Sequence, residues 1–440
     1  MTGRLREELS RIGDTAPVAH VDPDTWGRAR RARTRDRVLV GAAAVAVLAL
    51  VGGLAGLLPD RSSTPVAGAQ GAVPDHIYAV TSTEDVPVTS DLAVGRTAAA
   101  YVTTIGATAR VVTIGAADGV YHVLDLPRFA ERGGLEYAAS APVALSPDGT
   151  QIAYSYSGQV RGHAPVPTGL TIVDLRSGAT RSVPVTGGQG VLVQTVAWSP
   201  NGRWLVWSGQ VSTLWTDRER RFGEEMAAGR IAPGASTSEP VPVSNRTSQA
   251  FGIGSSGQVA ITSASKLVVW DGTVVEQISV PRRWGLPVDI AHAGDVLADV
   301  RAGPAGQGRP AFHVLRWSGN GKSPRLATPD ADGLTMAVRG WLGDTPVVET
   351  QPLRGAWTTT ALELLTDSGL REVGRVDSGV QDLTVATDLM TASQPTVAVP
   401  APDWVPQDGP PWWWIGLGAG LVMLLGLVAL VTARRRRPTR

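Results

Sequence analysis

The segment VALSPDGTQIAYSYSG begins at Val143, and TVAWSPNGRWLVWSGQ begins at Thr195. A chain that repeats itself after about fifty residues builds copies of one small unit, and each copy buries its apolar faces by stacking on the next. In Ser146-Pro147-Asp148-Gly149, serine opens a type I turn, proline fixes the second position and glycine closes the fourth. Ser199-Pro200-Asn201-Gly202 repeats that chemistry. The strand after the first turn, QIAYSY, alternates with period two, whereas RWLVW after the second is apolar almost throughout. A strand of the second kind is normally covered on both faces.

Weaker versions of the hairpin centre on Gly95, Ser256, Gly294, Gly343 and Thr387. Most are followed by a second hairpin, as in TIVDLRSGATRSV and LVVWDGTVVEQI. Four short strands per repeat predict an all-β fold, a β-propeller of seven blades, with six and eight as the neighbouring counts. The last repeat, 381–399, lacks outer strands, and DHIYAV (75–80) with VPVTSD (86–91) is expected to supply them. That would close the ring and bring its two ends together. Through LSPDGTQIAY and WSPNGRWLVW, residues 73–400 resemble the broad WD40-like and TolB-like propeller superfamily. The resemblance implies architecture, not activity. The Gly-His and Trp-Asp signatures of WD40 repeats are missing except for Trp270-Asp271, so their partner-binding logic does not carry over.

Outside the repeats lie two apolar runs. Residues 38–58 and 412–432 each carry 21 residues without a charge, enough to cross about 30 Å of hydrocarbon. Residues 1–37 hold nine arginines against six acidic residues, and the tail 433–440 holds five arginines. By the positive-inside rule both ends are cytoplasmic. The expected organisation is therefore a basic segment 1–37, a first transmembrane helix 38–58, a linker 59–72, an extracytoplasmic propeller 73–400, a Pro-rich linker 401–411, a second helix 412–432 and the Arg-rich tail. A cleaved signal peptide is the rival for the first run, but its apolar stretch and basic leader are both long for one. Gly52 and Gly56, with Gly416 and Gly420, sit four apart and are candidates for close helix packing, although glycine is common in membrane helices anyway. Arginine in place of lysine, with abundant Ala, Gly and Val, points to a high-GC bacterial genome of Gram-positive type.

The chain has no cysteine, which excludes disulfides, thiolate metal sites and a cysteine nucleophile. GIGSSG (252–257) matches a dinucleotide-binding pattern, yet strand-like QVAIT follows at once where a helix is needed, so a turn is expected. The six histidines are scattered without metal-ligand spacing, and no nucleophile elbow occurs. Neither a cofactor, a catalytic residue nor a nucleic-acid partner is expected.

Residues 212–230 break the repeat. Trp215, Arg218, Arg220, Arg221 and Phe222 form a candidate contact loop, with a plain solvated loop as the blander reading. On the inner side, Leu5, Leu9 and Ile12 share one face of an expected helix, and Trp26 precedes the arginine run. Followed by that run, the opening GRLREELSRIGDTAPVAHVD loosely resembles membrane proteins that accompany extracytoplasmic-function sigma factors, which implies a cytoplasmic regulatory partner. Attraction of the arginines to anionic lipid is the alternative. The reading that follows is a two-pass cell-membrane protein whose outer propeller binds or senses an extracytoplasmic ligand or protein without catalysis. An envelope scaffold and a propeller hydrolase remain open beside it.

Overall fold

The computed structural model describes residues 71–405 together with Glu7, Arg11 and Gly27, leaving out 107, 130–141, 159–163, 217–219, 244–249, 264, 281–285, 294–295, 303–311, 319–324, 328–333, 344, 353–358 and 367. The chain divides into two compact units, Met1–Ser63 and Thr64–Arg440. In the first, Glu7 and Arg11 are helical and exposed. The expected membrane runs 38–58 and 412–432, with Gly52, Gly56, Gly416 and Gly420, lie outside the described residues, as do Leu5, Leu9, Ile12 and Trp26. Among the described residues no helix is long and apolar enough to cross a membrane.

Apart from one 3-10 turn at Thr387–Leu389, the described residues of the second unit fold into β-strands. It opens with two short strands, β1 (His76–Ile77) and β2 (Val88–Thr89), followed by β3 (Thr97–Ile105), β4 (Thr108–Gly115) and β5 (Tyr121–Leu124). Four antiparallel four-stranded sheets come next. They are β6 (Val143–Leu145), β7 (Gln151–Ser157), β8 (Thr168–Asp174) and β9 (Thr180–Val185); β10 (Val191–Trp198), β11 (Leu205–Trp215), β12 (Arg220–Ile231) and β13 (Glu239–Pro240); β14 (Ala250–Ile253), β15 (Val259–Thr262), β16 (Lys266–Trp270) and β17 (Val274–Ser279); and β18 (Leu286–Ala293), β19 (Val296–Ala302), β20 (Phe312–Ser318) and β21 (Arg325–Ala327). β22 (Leu334–Leu342), β23 (Thr345–Pro352), β24 (Thr359–Thr366) and β25 (Gly369–Asp377) form the next sheet, with β1 added in parallel at its outer edge. The last strand, β26 (Gln381–Val385), returns to the start and pairs with β3, giving the order β2-β5-β4-β3-β26.

Among the described residues six sheets therefore stand as blades, one fewer than the seven hairpins suggest. The echoes at Gly95 and Thr387 belong to one blade, because β26 is the missing inner strand of β3. Innermost strands touch in the cyclic order β26, β6, β10, β14, β18, β22 and back to β26, so the ring is closed. DHIYAV and VPVTSD do add outer strands, but to two different blades. The two ends of the ring meet where Pro74 pairs with Val397: Asp75 N donates to Val397 O (2.9 Å) and Val397 N to Val73 O (2.8 Å). Trp404 then packs edge-on against Tyr78 and Tyr121.

The two clear repeats fold alike atom by atom. Ser146 Oγ accepts from Thr150 N (3.1 Å) and Gln151 N (2.9 Å) and donates to Asp148 Oδ1 (2.6 Å). Ser199 Oγ accepts from Arg203 N (3.2 Å) and Trp204 N (2.9 Å) and donates to Asn201 Oδ1 (2.7 Å). Gly149 closes its turn at φ +74°, a left-handed backbone that favours glycine, and a side chain there would run into the Thr97 carbonyl of the neighbouring blade. Each turn also clasps an adjacent blade, the first the preceding one and the second the following one. Arg96 Nε donates to Asp148 O (2.7 Å), and Asn201 Nδ2 to Ser255 O (2.9 Å). Between the blades the apolar strands are covered on both faces, as RWLVW requires: Leu205, Val206 and Trp207 are all buried.

Where a contact loop is expected, residues 212–215 and 220–230 are strand. They extend β11 and β12 into a long hairpin, with register shifts at Ser212 that keep the two strands paired to Trp215 and Arg220. Trp215 is buried and meets Phe222 edge to face at 6.2 Å. The adjacent pairs Arg220-Arg221 and Glu224-Glu225 interrupt the period-two alternation by which a strand is read in sequence.

Candidate functional site

Closing six innermost strands around an axis leaves a channel of about 340 Å³, to which all six contribute residues. The volume lies within the range of small-molecule sites. Four of the six strands are bulged. The breaks in register fall between Val193 and Thr195 in β10, Pro287 and Asp289 in β18, Val338 and Gly340 in β22, and Gln381 and Thr384 in β26. A bulge inserts an extra residue and re-aims its side chain. Three of the inserted residues, Gln194, Arg339 and Asp382, line the channel together with Trp198, Phe251 and Trp341.

Asp382 is the exceptional member. Its backbone is left-handed (φ +47°), one of two non-glycine residues with positive φ among those described. Its Oδ2 is buried without a hydrogen-bond partner, and so is Oε1 of the preceding Gln381. Burial pushes the Asp382 carboxyl above the usual carboxylate range; the Arg339 guanidinium opposes that shift and the Glu349 carboxylate adds to it. Arg339 is already engaged, donating from Nε to Glu349 Oε2 (2.7 Å), while Glu349 Oε1 accepts from Thr360 Oγ1 (3.0 Å). Each of these neighbours has a partner and Asp382 has none. Buried polar groups are nearly always paired, so an aspartate held unpaired in a strained backbone marks a place shaped by something other than stability.

Other polar clusters serve the frame. Arg230, 8% exposed, donates to Glu239 Oε2 (2.7 Å), Asp271 Oδ1 (2.9 Å) and Gly257 O (2.7 Å), and lies over the Trp270 ring at 4.6 Å. It locks the β10–β13 blade to the β14–β17 blade. GIGSSG is the β14–β15 hairpin turn, closed by Gly257 N donating to Gly254 O (2.9 Å). Among the described residues no three His, Cys, Asp or Glu are placed to hold a metal.

Of the residues picked out in sequence, Trp215 and Phe222 come together away from the channel, beside the exposed Arg221. Arg218 lies outside the described residues, and Arg220 is placed only as a strand position opposite Trp215. The channel residues Gln194, Arg339 and Asp382, with Gln381 beside the last, carry no signal in the sequence. An aspartate in QDLTV looks like any strand-edge residue, and a bulge is a property of pairing that no single strand displays.

No family model matches the chain, and no curated protein matches it. Solved structures to which it is similar include the periplasmic gluconolactonase of Pseudomonas aeruginosa, at 14% identity and TM-score 0.39 over 64% of this chain and 83% of that one. A protein from Lactobacillus plantarum follows at 10% and 0.37, over 64% and 83%. Prolyl oligopeptidase B of Galerina marginata stands at 10% and 0.39, over 64% of this chain and 41% of that one. At such values the likeness carries no argument about chemistry, and the propeller rests on its own strand order.

Proposed function

We propose that this chain is a membrane-tethered, extracytoplasmic binding module without catalytic activity of its own, and that its ligand enters the axial channel at the bulged ring of Gln194, Arg339 and Asp382. The observation that carries this reading is the unpartnered Asp382 in the channel wall. The pairing of Pro74 with Val397 supports the tether, since the two ends of the ring, which in sequence follow the first charge-flanked apolar run and precede the second, meet at one point. Residues 1–37 complete the proposal by holding a cytoplasmic regulatory protein, such as a sigma factor, on the face made by Leu5, Leu9 and Ile12 with Trp26.

The binding test uses full-length protein in detergent and fractionated envelope extract, read as a thermal shift. Gln194, exposed in the channel, is replaced by tryptophan to fill it. A fraction that raises the unfolding temperature of the wild type but not of Gln194→Trp, and whose active component is recovered unchanged, is the expected result. An equal shift in both proteins would place binding elsewhere, and a consumed component would make the protein an enzyme. Tethering is checked with single cysteines at Ser63 and Thr439 and an impermeant thiol reagent on intact cells. Labelling at Ser63 alone is expected, and labelling at Thr439 alone would overturn the topology. For the inner segment, Leu5→Asp with Leu9→Asp should release the cytoplasmic partner while the protein stays in the membrane.

A further inference from the structure

We infer that the channel selects a small organic cation, a primary ammonium or guanidinium group, anchored on the Asp382 carboxylate and flanked by the rings of Trp198 and Trp341. This rests on the reading of the channel as a ligand site and gives that site its chemistry.

The charge of the ring decides the sign. Among the described residues in this group Asp382 and Glu349 are acidic and Arg339 is the cation near both, so once Arg339 is paired with Glu349 one negative charge is left over, on the side chain with no hydrogen bond. Asp382 has one oxygen shut away from solvent, yet the residue as a whole is partly exposed and lines the channel, so its other oxygen faces the open space. A carboxylate in that position accepts hydrogen bonds and donates none. A neutral polyol would satisfy the acceptor but leave the charge uncompensated at a site of low dielectric, where that costs most. A metal ion asks for several ligands, and the described ring offers one free carboxylate. An ammonium or guanidinium supplies both charge and donors. The half-buried Trp198 and Trp341 line the same channel, and aromatic rings attract such a cation. Trp198 is held in place by its own Nε1 donating to Ala144 O (3.0 Å) of the neighbouring blade. The cavity volume suits a molecule of modest size, not a folded partner.

The test titrates the full-length protein in detergent with butylammonium, butylguanidinium, butanol and a lysine-containing tripeptide, followed by tryptophan fluorescence and calorimetry. Saturable binding of the two cations and none of butanol is expected, with affinity at least tenfold weaker in Asp382→Asn. Asp382→Gly, which suits the left-handed backbone, gives the same loss and guards against a folding artefact. Binding of the tripeptide as tightly as butylammonium would assign the cation to a peptide side chain; failure of the tripeptide would assign it to a free amine. Equal affinity in wild type and both variants, or no saturable binding of either cation, overturns the inference. If envelope extract still shifts the wild type but not Gln194→Trp in that case, the channel remains the site and only its cation chemistry falls. If that shift is absent too, both readings fall.

Discussion

Two aspartates on neighbouring blades live opposite lives. β6 and β26 stand side by side at the axis, tied by Leu145 N donating to Thr384 Oγ1 (3.2 Å). In the turn after β6, Asp148 accepts from Ser146 Oγ, Thr150 N and Thr150 Oγ1. Burial raises its pKa, but those hydrogen bonds and the nearby Arg96 outweigh it, and the carboxyl is held below its usual range. At the start of β26, Asp382 has no partner and its carboxyl is pushed up. The lesson is that the blades faithful to the repeat put their polar groups into closing turns, while the strand that departs from it leaves a charge unsatisfied. The candidate site lies where the repeat is broken.

The largest way to break the comparison is to spoil a faithful blade. Leu205 is 1% exposed in β11, so Leu205→Asp buries an unpaired charge and should destabilise the propeller by about 4 kcal/mol in chemical denaturation, and circular dichroism should show lost β structure. Gly149→Ala forces a left-handed alanine against Thr97 O, at about 2 kcal/mol. Ser199→Ala removes the acceptor for two backbone N–H groups and should cost about 1 kcal/mol by the same measurement. The finest contrast is one substitution made twice. Asp148→Asn keeps the turn geometry, as Asn201 demonstrates in the next blade. Because the native pKa of Asp148 is depressed, its stabilisation exists above the unfolded value of about 4 and disappears as pH falls through the native one. The asparagine variant should therefore be less stable at neutral pH and approach the wild type in acid. Asp382 has the reverse sign. Its native pKa is raised, so the favourable contribution is present below about pH 4 and lost as pH rises through the native value. Asp382→Asn should be more stable than the wild type at neutral pH, and that advantage should vanish in acid. Thermal melts across pH 3 to 8 read both, and equal signs would dissolve the distinction between the two regions.

How legible this was in the sequence varied with how local each signal is. SPDG and SPNG specify turns through the chemistry of four consecutive residues, and both fold as their composition requires. Blade number is not local. The half-repeats at Gly95 and Thr387 look like two blades because nothing in either shows that β26 pairs with β3. Within the hairpin 205–231, residues 212–230 look like a loop that breaks the repeat, because the paired charges Arg220-Arg221 and Glu224-Glu225 interrupt the strand period. The channel residues were invisible for a related reason: their role arises from register breaks between strands, and Gln194, Arg339 and Asp382 come from three separate blades.

The join between β26 and β3 also sets a timetable. Thr384 Oγ1 reaches Ala100 O across 284 positions of sequence, so the contact that seals the ring is among the most distant the chain makes. Contacts of such separation form late, after the closure entropy of everything between them has been met. During synthesis the inner edge of β3, with Ala99, Tyr101 and their neighbours, stays open until residue 385 has emerged. An open, apolar strand edge invites pairing with another chain. For this protein the hazardous interval of biogenesis is thus nearly as long as the synthesis of the propeller itself, and it ends only when the last strand docks.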